Sequence, residues 1–421
     1  MKYAVVTFGC RVNQADSLAI EEGLRAGGAE SARPAEADLV VVNTCTVTAS
    51  SDQGARQVIR RIARDNPAAR VVVTGCYATR HPAEVAELPN VVRIVPNAVK
   101  DTLVRDLEEA GLTTASRPAS GDGPCGAMLQ PGMAGRTAMT LRVQTGCDQV
   151  CSYCIIPKTR GAGRSRPLPQ VLNDVRRACD AGYREIVLTG VHLGSYGRDL
   201  GDVSLDELVR RLAGWPDDVL FRISSLEPMD CSDALIDLVA DSPRLAPHFH
   251  LPLQHGSDRM LAAMRRPYSA AYYARLLERI HRRMPHASIG TDLIVGFPGE
   301  SDSDALATAD LVEQLPLSHL HVFPYSDRPG TDAAHLRDRP DGAAVRARGA
   351  ALRAAGERLS TAFQAGQLKT VRRALTLDDG TRAVTDNFLK LGLPSGRPRN
   401  EWVMVRVTGR PGALVGEPLP A

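Results

Sequence analysis

Residues 146–154 read GCDQVCSYC, and their three cysteines have a C-x3-C-x2-C spacing directly after a strand-like run. We call Cys147, Cys151 and Cys154 the compact triple. Structural zinc more often uses two paired sets of ligands, and no second cysteine or histidine pair follows this stretch. Three thiolates therefore leave one coordination position open. An open iron beside a ligand pocket is what a cluster needs in order to bind and reduce a cofactor.

The sequence after this motif alternates strand-like and helix-like patterns, which is typical of a parallel sheet covered by helices. Six such units predict a partial (β/α) barrel with its active site at the carboxyl ends of the strands; a doubly wound open sheet is the alternative. The predicted strands are Thr137–Gln144, Glu185–Gly190, Leu220–Ser225, Phe249–Leu253, Ser288–Val295 and His319–Pro324. The predicted helices include Pro167–Ala181, Leu205–Leu212, Ala270–Arg283 and Asp304–Leu315.

A second set of cysteines lies near the start of the chain, where Cys10, Cys45 and Cys76 each follow an apolar run: AVVTFGC, DLVVVNTC and RVVVTGC. We call these residues the dispersed triple. The carboxyl ends of parallel strands share one edge of a sheet, so we expect the three thiols to converge. Buried structural cysteine is the alternative. Three converging thiolates could hold zinc with a fourth ligand, or a 4Fe-4S cluster with one open iron.

Changes in composition divide the chain into four parts. We expect an α/β domain at 1–115, followed at 116–136 by a linker that is dense in Gly and Pro and lacks periodicity. The barrel region follows at 137–362 and includes most of an Ala- and Arg-rich helix from about 343 to 366. Short strands separated by Asp-Gly and Pro-Gly turns then predict a small β-barrel at 363–421.

The composition excludes several classes of protein. The 421 residues carry 51 Lys or Arg and 48 Asp or Glu, so the net charge of +3 gives no global sign of a nucleic-acid binder. Nine cysteines cannot all pair, which argues against a disulfide framework and for a reducing cytoplasm. The chain opens with no signal-peptide core, and no apolar run approaches the roughly 18 residues that a membrane span needs.

The GCDQVCSYC run and the following IIPKTRGAGRSRP resemble the radical S-adenosylmethionine enzymes, and the dispersed triple makes the chain similar to the methylthiotransferases among them. The resemblance covers nearly the whole chain. It implies a flavodoxin-like N-terminal domain, a partial (β/α)6 radical barrel and a C-terminal TRAM domain. It also implies two 4Fe-4S clusters: a radical cluster on the compact triple that chelates S-adenosylmethionine, and an auxiliary cluster on the dispersed triple that delivers sulfur.

The strings FGCRVNQADS, NTCTVTASSD, GCYA and YCIIPKTRG most resemble the enzymes that act on threonylcarbamoyladenosine. The resemblance therefore implies methylthiolation of carbon 2 of N6-threonylcarbamoyladenosine beside the tRNA anticodon, at position 37. Isopentenyladenosine tRNA and ribosomal-protein aspartate methylthiotransferases are the alternatives within the family. Carbon 2 is an unactivated aromatic C–H, so a cofactor-generated radical must perform the hard step. The implied partners are tRNA, a reducing electron donor and a sulfur donor, with no membrane.

Polar residues at the carboxyl ends of the predicted barrel strands are candidates for the adenosyl pocket. The resemblance assigns S-adenosylmethionine to these segments. The matching residues are Gly190, Ser224, Glu227 and Gln254. For any one of them, a capping or turn role is the alternative. LPLQHGSD and MRRPYS depart from the family's usual Gln-Ser-Gly and Met-Asn-Arg strings at His255 and Arg265.

Several other potential ligands receive no role. Three cysteines lack any pattern of spacing: Cys125, Cys179 and Cys231. Four histidines alternate along predicted strands and are interpreted as barrel residues with satisfied hydrogen bonds rather than as ligands: His248, His250, His319 and His321.

The C-terminal part carries a local basic excess, with nine Lys or Arg and five Asp or Glu over 363–421. A modest excess is often only a solvated surface. The TRAM resemblance, centred on Thr385, Asp386 and Asn387, instead implies contact with tRNA. The candidate phosphate contacts are Lys369, Arg372, Arg373, Arg397, Arg399 and Arg406.

Two hypotheses of a different class are a two-cluster electron carrier and a zinc-dependent RNA-binding protein without catalysis. Neither explains both a partial barrel and a triple with an open position. Anaerobic reconstitution separates them, because only the enzyme hypothesis requires two 4Fe-4S clusters and reductive cleavage of S-adenosylmethionine.

Overall fold

The structure is a computed structural model that describes residues 1–113, 131, 136–394 and 396–420. Nearly all of the predicted linker at 116–136, including Cys125, lies outside the described residues. Within the ranges given, no helix is both long and apolar enough to cross a membrane.

The first part of the chain forms a parallel five-stranded sheet with helices on both faces. Its strands are β1 (Lys2–Thr7), β2 (Glu30–Ser31), β3 (Leu39–Thr44), β4 (Arg70–Gly75) and β5 (Val91–Val95). Its helices are α1 (Arg11–Ala26), α2 (Ala49–Asp65), α3 (Cys76–Arg80), α4 (Pro82–Ala86) and α5 (Leu103–Glu109). The strand order β2-β1-β3-β4-β5 is that of flavodoxin-like folds, which confirms the fold that the resemblance implies.

Burial on both faces explains why the first four residues of the central strand, Leu39–Val42, are all apolar. Every residue of β3 is buried. Val40 and Val42 pack with Ile59 in one helical layer, whereas Val41 packs with Leu24 in the other. A strand covered on both faces needs apolar residues at successive positions, which is the pattern of LVVV in the sequence.

Six further parallel strands form the partial barrel. The six are β6 (Met139–Arg142), β9 (Glu185–Thr189), β10 (Leu220–Ile223), β11 (His248–His250), β12 (Ser288–Val295) and β13 (His319–Pro324). Two short strands, β7 (Gln144–Thr145) and β8 (Arg164–Ser165), form a separate antiparallel hairpin. The helices are α6 (Ile156–Arg160), α7 (Leu168–Asp180), α8 (Leu205–Ala213), α9 (Asp233–Asp241), α10 (Asp258–Ala263), α11 (Ala270–Arg283), α12 (Asp302–Gln314) and α13 (Gly342–Gln367). Single bridges join the sheets β10-β9-β6 and β11-β12-β13 at Phe221–Leu245 and Ser225–His250.

The two faces of the barrel strands differ in chemistry. One face carries Leu188, Phe221 and Leu293, which pack with the surrounding helices in the main core. The other face is polar and includes the buried pair Arg222 and Glu185, whose Nε and Oε1 atoms are 2.9 Å apart. The barrel therefore has a polar interior, which we call the lumen.

The C-terminal part is a closed five-stranded barrel. Its strands are β14 (Val371–Leu377), β15 (Arg382–Thr385), β16 (Lys390–Gly392), β17 (Trp402–Arg410) and β18 (Ala413–Pro418). Its turn at 385–388 docks on the radical barrel, where Arg222 Nη1 donates to the carbonyl of Asp386 at 3.0 Å. The Phe388 ring lies 4.9 Å from the same guanidinium. The turn therefore covers the amino-terminal end of the lumen.

Two details of the barrel differ from the sequence-based prediction. The strand predicted at Phe249–Leu253 is present only as β11, because Pro252 has no N–H to donate to a ladder. The short β7–β8 hairpin was not predicted, since two-residue strands leave no periodic pattern.

Candidate functional site

The dispersed triple converges at the carboxyl edge of the first sheet. Cys10, Cys45 and Cys76 follow β1, β3 and β4 and are all free thiols. A Cβ atom added at Gly9 would lie 2.7 Å from the Cys45 sulfur, so the loop carrying Cys10 lies directly against Cys45. Burial raises the pKa of Cys45 to about 11, and the neighbouring Cys10 and Cys76 thiols raise it as well. Three thiols this close together ionise only beside balancing positive charge.

Buried cations supply positive charge next to this triple. Arg160 Nη2 and Lys100 Nζ each lie 3.0 Å from Asp16 Oδ2, and Arg142 Nη1 lies 2.5 Å from Asp16 Oδ1. Burial alone would raise the pKa of Asp16, but the three cations outweigh it and hold the pKa well below its usual range. We call these four side chains the Asp16 cluster. Of the three cations, only Arg142 has a second carboxylate partner among the described residues, Asp101 at 2.6 Å. Arg160 and Lys100 therefore still leave positive charge beside Cys76.

The compact triple lies on the loop between β7 and α6, at the carboxyl end of the first barrel strand. Gly146 has φ +72°, and a Cβ there would lie 1.8 Å from the carbonyl oxygen of Ala162, so only glycine allows this loop path. Burial raises the pKa of Cys154 to about 12, and Cys151 and Cys147 add to the effect. This loop thus holds three thiols that need positive charge to ionise.

Arg266 supplies that charge to the compact triple. Its Nη1 atom donates to the Cys151 sulfur at 3.1 Å, and its Nη2 atom donates to the Glu227 carboxylate. Its Nε atom donates to the Tyr268 hydroxyl at 3.0 Å. One buried guanidinium therefore joins a thiol, a carboxylate and a phenol at the mouth of the barrel.

The predicted adenosyl-pocket residues all lie at the carboxyl ends of barrel strands. Gly190 follows β9, and Ser224 follows β10 with its Oγ 3.5 Å from the Thr189 hydroxyl. Gln254 has φ +70°, and its carbonyl accepts from the N–H of Ile294 at 2.9 Å. Glu227 is the one whose side chain reaches a partner of the compact triple, through Arg266. The strand ends bring these residues to one rim.

Two parts of the chain match known protein families. Residues 2–96 match the family described as "Uncharacterized protein family UPF0004", and residues 141–312 match the Radical SAM superfamily. The chain is 37% identical over 344 residues to the threonylcarbamoyladenosine tRNA methylthiotransferase MtaB of Bacillus subtilis, covering 80% of this chain and 76% of the relative. It is 34% identical to MtaB of Aquifex aeolicus, covering 93% of this chain and 96% of the relative.

The chain belongs to the radical S-adenosylmethionine methylthiotransferase family. A tRNA-2-methylthio-N(6)-dimethylallyladenosine synthase of Herpetosiphon aurantiacus is also similar, at 33% identity over 95% of this chain and 90% of the relative. Among solved structures, the radical S-adenosylmethionine methyltransferase TsrM of Kitasatospora setae matches with a TM-score of 0.56 and 17% identity, over 79% of this chain and 73% of that one. This likeness concerns the fold.

Methylthiotransferases of this family use S-adenosylmethionine and two 4Fe-4S clusters. The two triples fit the clusters, because each gathers thiols whose ionisation requires a cationic partner. Each triple also has a donor directed at sulfur: Arg266 at Cys151, and Asn97 Nδ2 at the Cys76 sulfur at 3.5 Å. The dispersed triple would hold the auxiliary cluster and the compact triple the radical cluster. Hydrogen bonds to cluster sulfurs are one of the means by which proteins set a cluster's potential.

The six basic candidates of the C-terminal barrel differ in exposure. Lys369 and Arg406 are exposed, whereas Arg397 and Arg399 are half-buried. Arg372 and Arg373 are also half-buried and lie beside carboxylates: Arg372 Nη1 is 3.7 Å from Asp386, and Arg373 Nη2 is 2.5 Å from Asp218. The Arg373 guanidinium also lies 3.8 Å from the centre of the Trp402 ring. Exposure therefore favours Lys369 and Arg406 as contacts for an external anion.

The sequence analysis missed the cations that serve the two triples. Arg266 and Arg160 were assigned no role, although Arg160 stands in the quoted IIPKTRGAGRSRP run. A lone arginine carries no periodic signal, and the partners of these two lie far away in sequence. His255 and Arg265, where the chain differs from the family's usual strings, both pair with carboxylates. His255 Nε2 lies 3.2 Å from Glu300, and exposed Arg265 pairs with Asp332.

Proposed function

We propose that this protein adds a methylthio group to carbon 2 of N6-threonylcarbamoyladenosine in tRNA, beside the anticodon at position 37. The observation that carries the proposal is the pair of thiol triples in one chain, one at the sheet edge and one at the mouth of the radical barrel. The names of the Bacillus and Aquifex relatives support threonylcarbamoyladenosine as the modified nucleoside.

The residues of the chain prepare the site for this reaction. When bound, the clusters and S-adenosylmethionine supply the reductive radical chemistry and the sulfur. Arg266 holds Cys151 and Glu227 in fixed relation to each other and neutralises charge at the mouth of the barrel. The Asp16 cluster does the same beside the dispersed triple. Ser224, Gly190 and Gln254 line the rim where the adenosyl group would lie.

Contact with tRNA belongs to the same proposal and is assigned to the C-terminal barrel. Lys369 and Arg406 are exposed and can reach phosphates without breaking an internal ion pair with Asp218 or Asp386, as Arg373 or Arg372 would have to do. The domain limits at 115, 136 and 362, a cytoplasmic location, a reducing protein as electron donor and a separate sulfur donor complete this proposal.

Dimethylallyladenosine is the second candidate substrate. The specific observation in its favour is the Herpetosiphon relative, whose similarity extends over 95% of this chain and 90% of the relative. The two substrates differ in the group on N6, which carries a carboxylate in one case and is purely apolar in the other.

A competition between these two nucleosides tests the proposal. Anaerobically reconstituted enzyme is incubated with S-adenosylmethionine, a reductant and two tRNAs, one with threonylcarbamoyladenosine and one with dimethylallyladenosine. We expect mass spectrometry of the digested tRNA to detect the methylthio product of the first nucleoside only. If only dimethylallyladenosine were modified, it would be the substrate in place of threonylcarbamoyladenosine. If neither nucleoside gained a methylthio group, the proposed activity would be refuted.

A further inference from the structure

A group of histidines and one aspartate in the lumen lies outside both cysteine triples. His250 Nε2 lies 3.1 Å from Asp292 Oδ1, and His321 Nδ1 lies 3.1 Å from the same oxygen. One ligand atom from each of the three residues falls within 4.8 Å of the other two. The His319 ring packs against both imidazoles, with ring centres 5.9 Å and 5.4 Å away.

Strand register brings these side chains to one face. His250 of β11 is paired with Gly290 of β12, and Asp292 of β12 is paired with His321 of β13. Paired residues of parallel strands point to the same side, so all of them face the lumen. Gly290 makes room for the group, because a Cβ there would lie 2.0 Å from His319 Nε2. The arrangement therefore depends on a glycine at the centre of three strands.

We propose that His250, Asp292 and His321 form a binding site for one divalent transition-metal ion of the zinc type. Two imidazoles and one carboxylate are a donor set that zinc and non-haem iron(II) both use. Bonds of about 2.0–2.2 Å in a tetrahedral site put ligand atoms roughly 3.3 Å apart, close to the two 3.1 Å separations seen here. The remaining coordination positions would face the lumen and take water or an oxygen ligand.

The surroundings of the group agree with cation binding. Asp292 supplies one carboxylate that faces both imidazoles, with its Oδ1 atom 3.1 Å from the nearest nitrogen of each ring. The His321 side chain is 54% exposed, which gives an ion a path to the site.

The site differs chemically from both triples, and this makes the test specific. A zinc ion in a cysteine site has sulfur neighbours at about 2.3 Å, whereas one in the lumen has only nitrogen and oxygen neighbours at about 2.0–2.2 Å. Zinc X-ray absorption reads this difference in the presence of iron. The reconstituted enzyme can therefore be examined with both clusters in place.

The experiment uses the fully reconstituted enzyme, washed with chelator and then dialysed against zinc sulfate at pH 8. We expect one zinc per chain without loss of iron, and an absorption spectrum fitted by nitrogen and oxygen neighbours alone. His321→Gln and Asp292→Asn should each lose the zinc and keep the iron. His281→Gln, at an exposed position on α11, is the matched control and should retain both metals.

Three results would overturn the proposal. These are an enzyme that retains no zinc after dialysis, zinc with sulfur neighbours, and zinc retained equally by the two lumen variants. Because iron content and far-ultraviolet circular dichroism are recorded for every variant, a misfolded chain is recognised. If one of the two lumen variants does not fold, the measurement is repeated with His250→Gln, which removes the third proposed ligand.

Discussion

At the residue scale, Arg266 is the side chain that connects the compact triple to its polar neighbours, Glu227 and Tyr268. Its donation to the Cys151 sulfur places a positive charge beside a cluster ligand, which favours the more negative, reduced state of a cluster. We expect Arg266→Gln to lower the midpoint potential of the radical cluster by up to about 100 mV, since a hydrogen bond to a charged group is worth about 1.5–3 kcal/mol and about 1.4 kcal/mol corresponds to roughly 59 mV for one electron. A redox titration followed by electron paramagnetic resonance measures it.

The neighbouring Arg265→Gln is the control for this measurement. Arg265 is exposed and pairs with Asp332 rather than with a thiol, so its loss should leave the potential unchanged. If both variants shifted the potential equally, the effect would come from general charge and not from the hydrogen bond to Cys151.

Glu22 provides a pH-dependent prediction at the same scale. Burial raises the pKa of Glu22 to about 7, although Arg177 opposes the shift. The folded state therefore disfavours the ionised carboxylate, and ionisation of Glu22 lowers the stability of the fold. This loss of stability is absent below the unfolded pKa of about 4.5, grows as the pH rises, and is complete above about pH 7. We expect Glu22→Gln to stabilise the fold by about 3 kcal/mol at pH 8 and by little at pH 5.

Urea unfolding at the two pH values measures this difference. Glu278→Gln, at an exposed position on α11, should change stability little at either pH. A gain for Glu22→Gln that is the same at pH 5 and pH 8 would mean that packing, not charge, is responsible.

The sequence could predict the cysteines but not their polar partners. Cys10, Cys45 and Cys76 follow apolar runs, so their meeting at one edge follows from parallel-sheet geometry. Arg266 and Cys151 are separated by 115 positions, and no local pattern connects them. Side-chain contacts over such separations depend on how helices and loops pack, which periodicity does not encode.

At the scale of elements, the loop that carries the compact triple depends on a glycine. A Cβ at Gly146 would meet the carbonyl oxygen of Ala162 at 1.8 Å, so Gly146→Ala must displace the loop. We expect this variant to bind about half the iron of the normal enzyme, because the radical cluster is lost while the auxiliary cluster remains. Iron and sulfide analysis after reconstitution measures the loss.

Gly161→Ala is the matched control for this change. Gly161 has φ +74°, close to that of Gly146, but no atom lies within 4 Å of the position its Cβ would take. Its ψ of −165° lies in a region nearly restricted to glycine, so Gly161→Ala incurs a backbone cost of about 1–3 kcal/mol but no clash. Equal iron loss in both variants would mean that backbone strain, not the close approach to Ala162, controls the loop.

Elements with a clear period were predicted well, and elements without one were not. The helix predicted from about 343 to 366 is confirmed as α13, and Ala270–Arg283 is confirmed as α11. The two-residue strands β2, β7 and β8 were missed, since they are defined by pairing with a neighbour and not by their own composition.

At the scale of the whole molecule, the exposed basic residues of the C-terminal barrel predict how tRNA binding depends on salt. Each lost phosphate contact reduces the slope of log K against log salt by about 0.7–0.9. We expect the double variant Lys369→Ala/Arg406→Ala to lower the slope by about 1.5 and to weaken binding of different tRNAs to a similar extent. Titrations at several salt concentrations measure both quantities.

Arg210→Ala is the control for this titration. Arg210 lies on the outer helix α8 and pairs with Glu207, at a position unrelated to the C-terminal barrel. An unchanged slope in the double variant would remove the C-terminal barrel from the proposed tRNA contact.

The sequence predicted a small C-terminal β-barrel but not where it docks. The docking depends on Arg222 in the lumen, which donates to the Asp386 carbonyl and lies over the Phe388 ring. An arginine within an otherwise apolar strand gives no hint of a partner more than 160 positions away. Its charge also pairs with Glu185, so one buried side chain connects two barrels.

The Asp16 cluster has a consequence for how the protein moves. Asp16 belongs to helix α1 of the first sheet, whereas Arg160 and Arg142 belong to the radical barrel. Pulling the two apart would leave Arg160 without its carboxylate partner and Asp16 with Lys100 alone, and breaking such a buried pair costs about 3–5 kcal/mol. Thermal motion therefore separates the first sheet domain from the radical barrel in only a small fraction of molecules. The nucleotide must travel to a pair of centres held at constant separation.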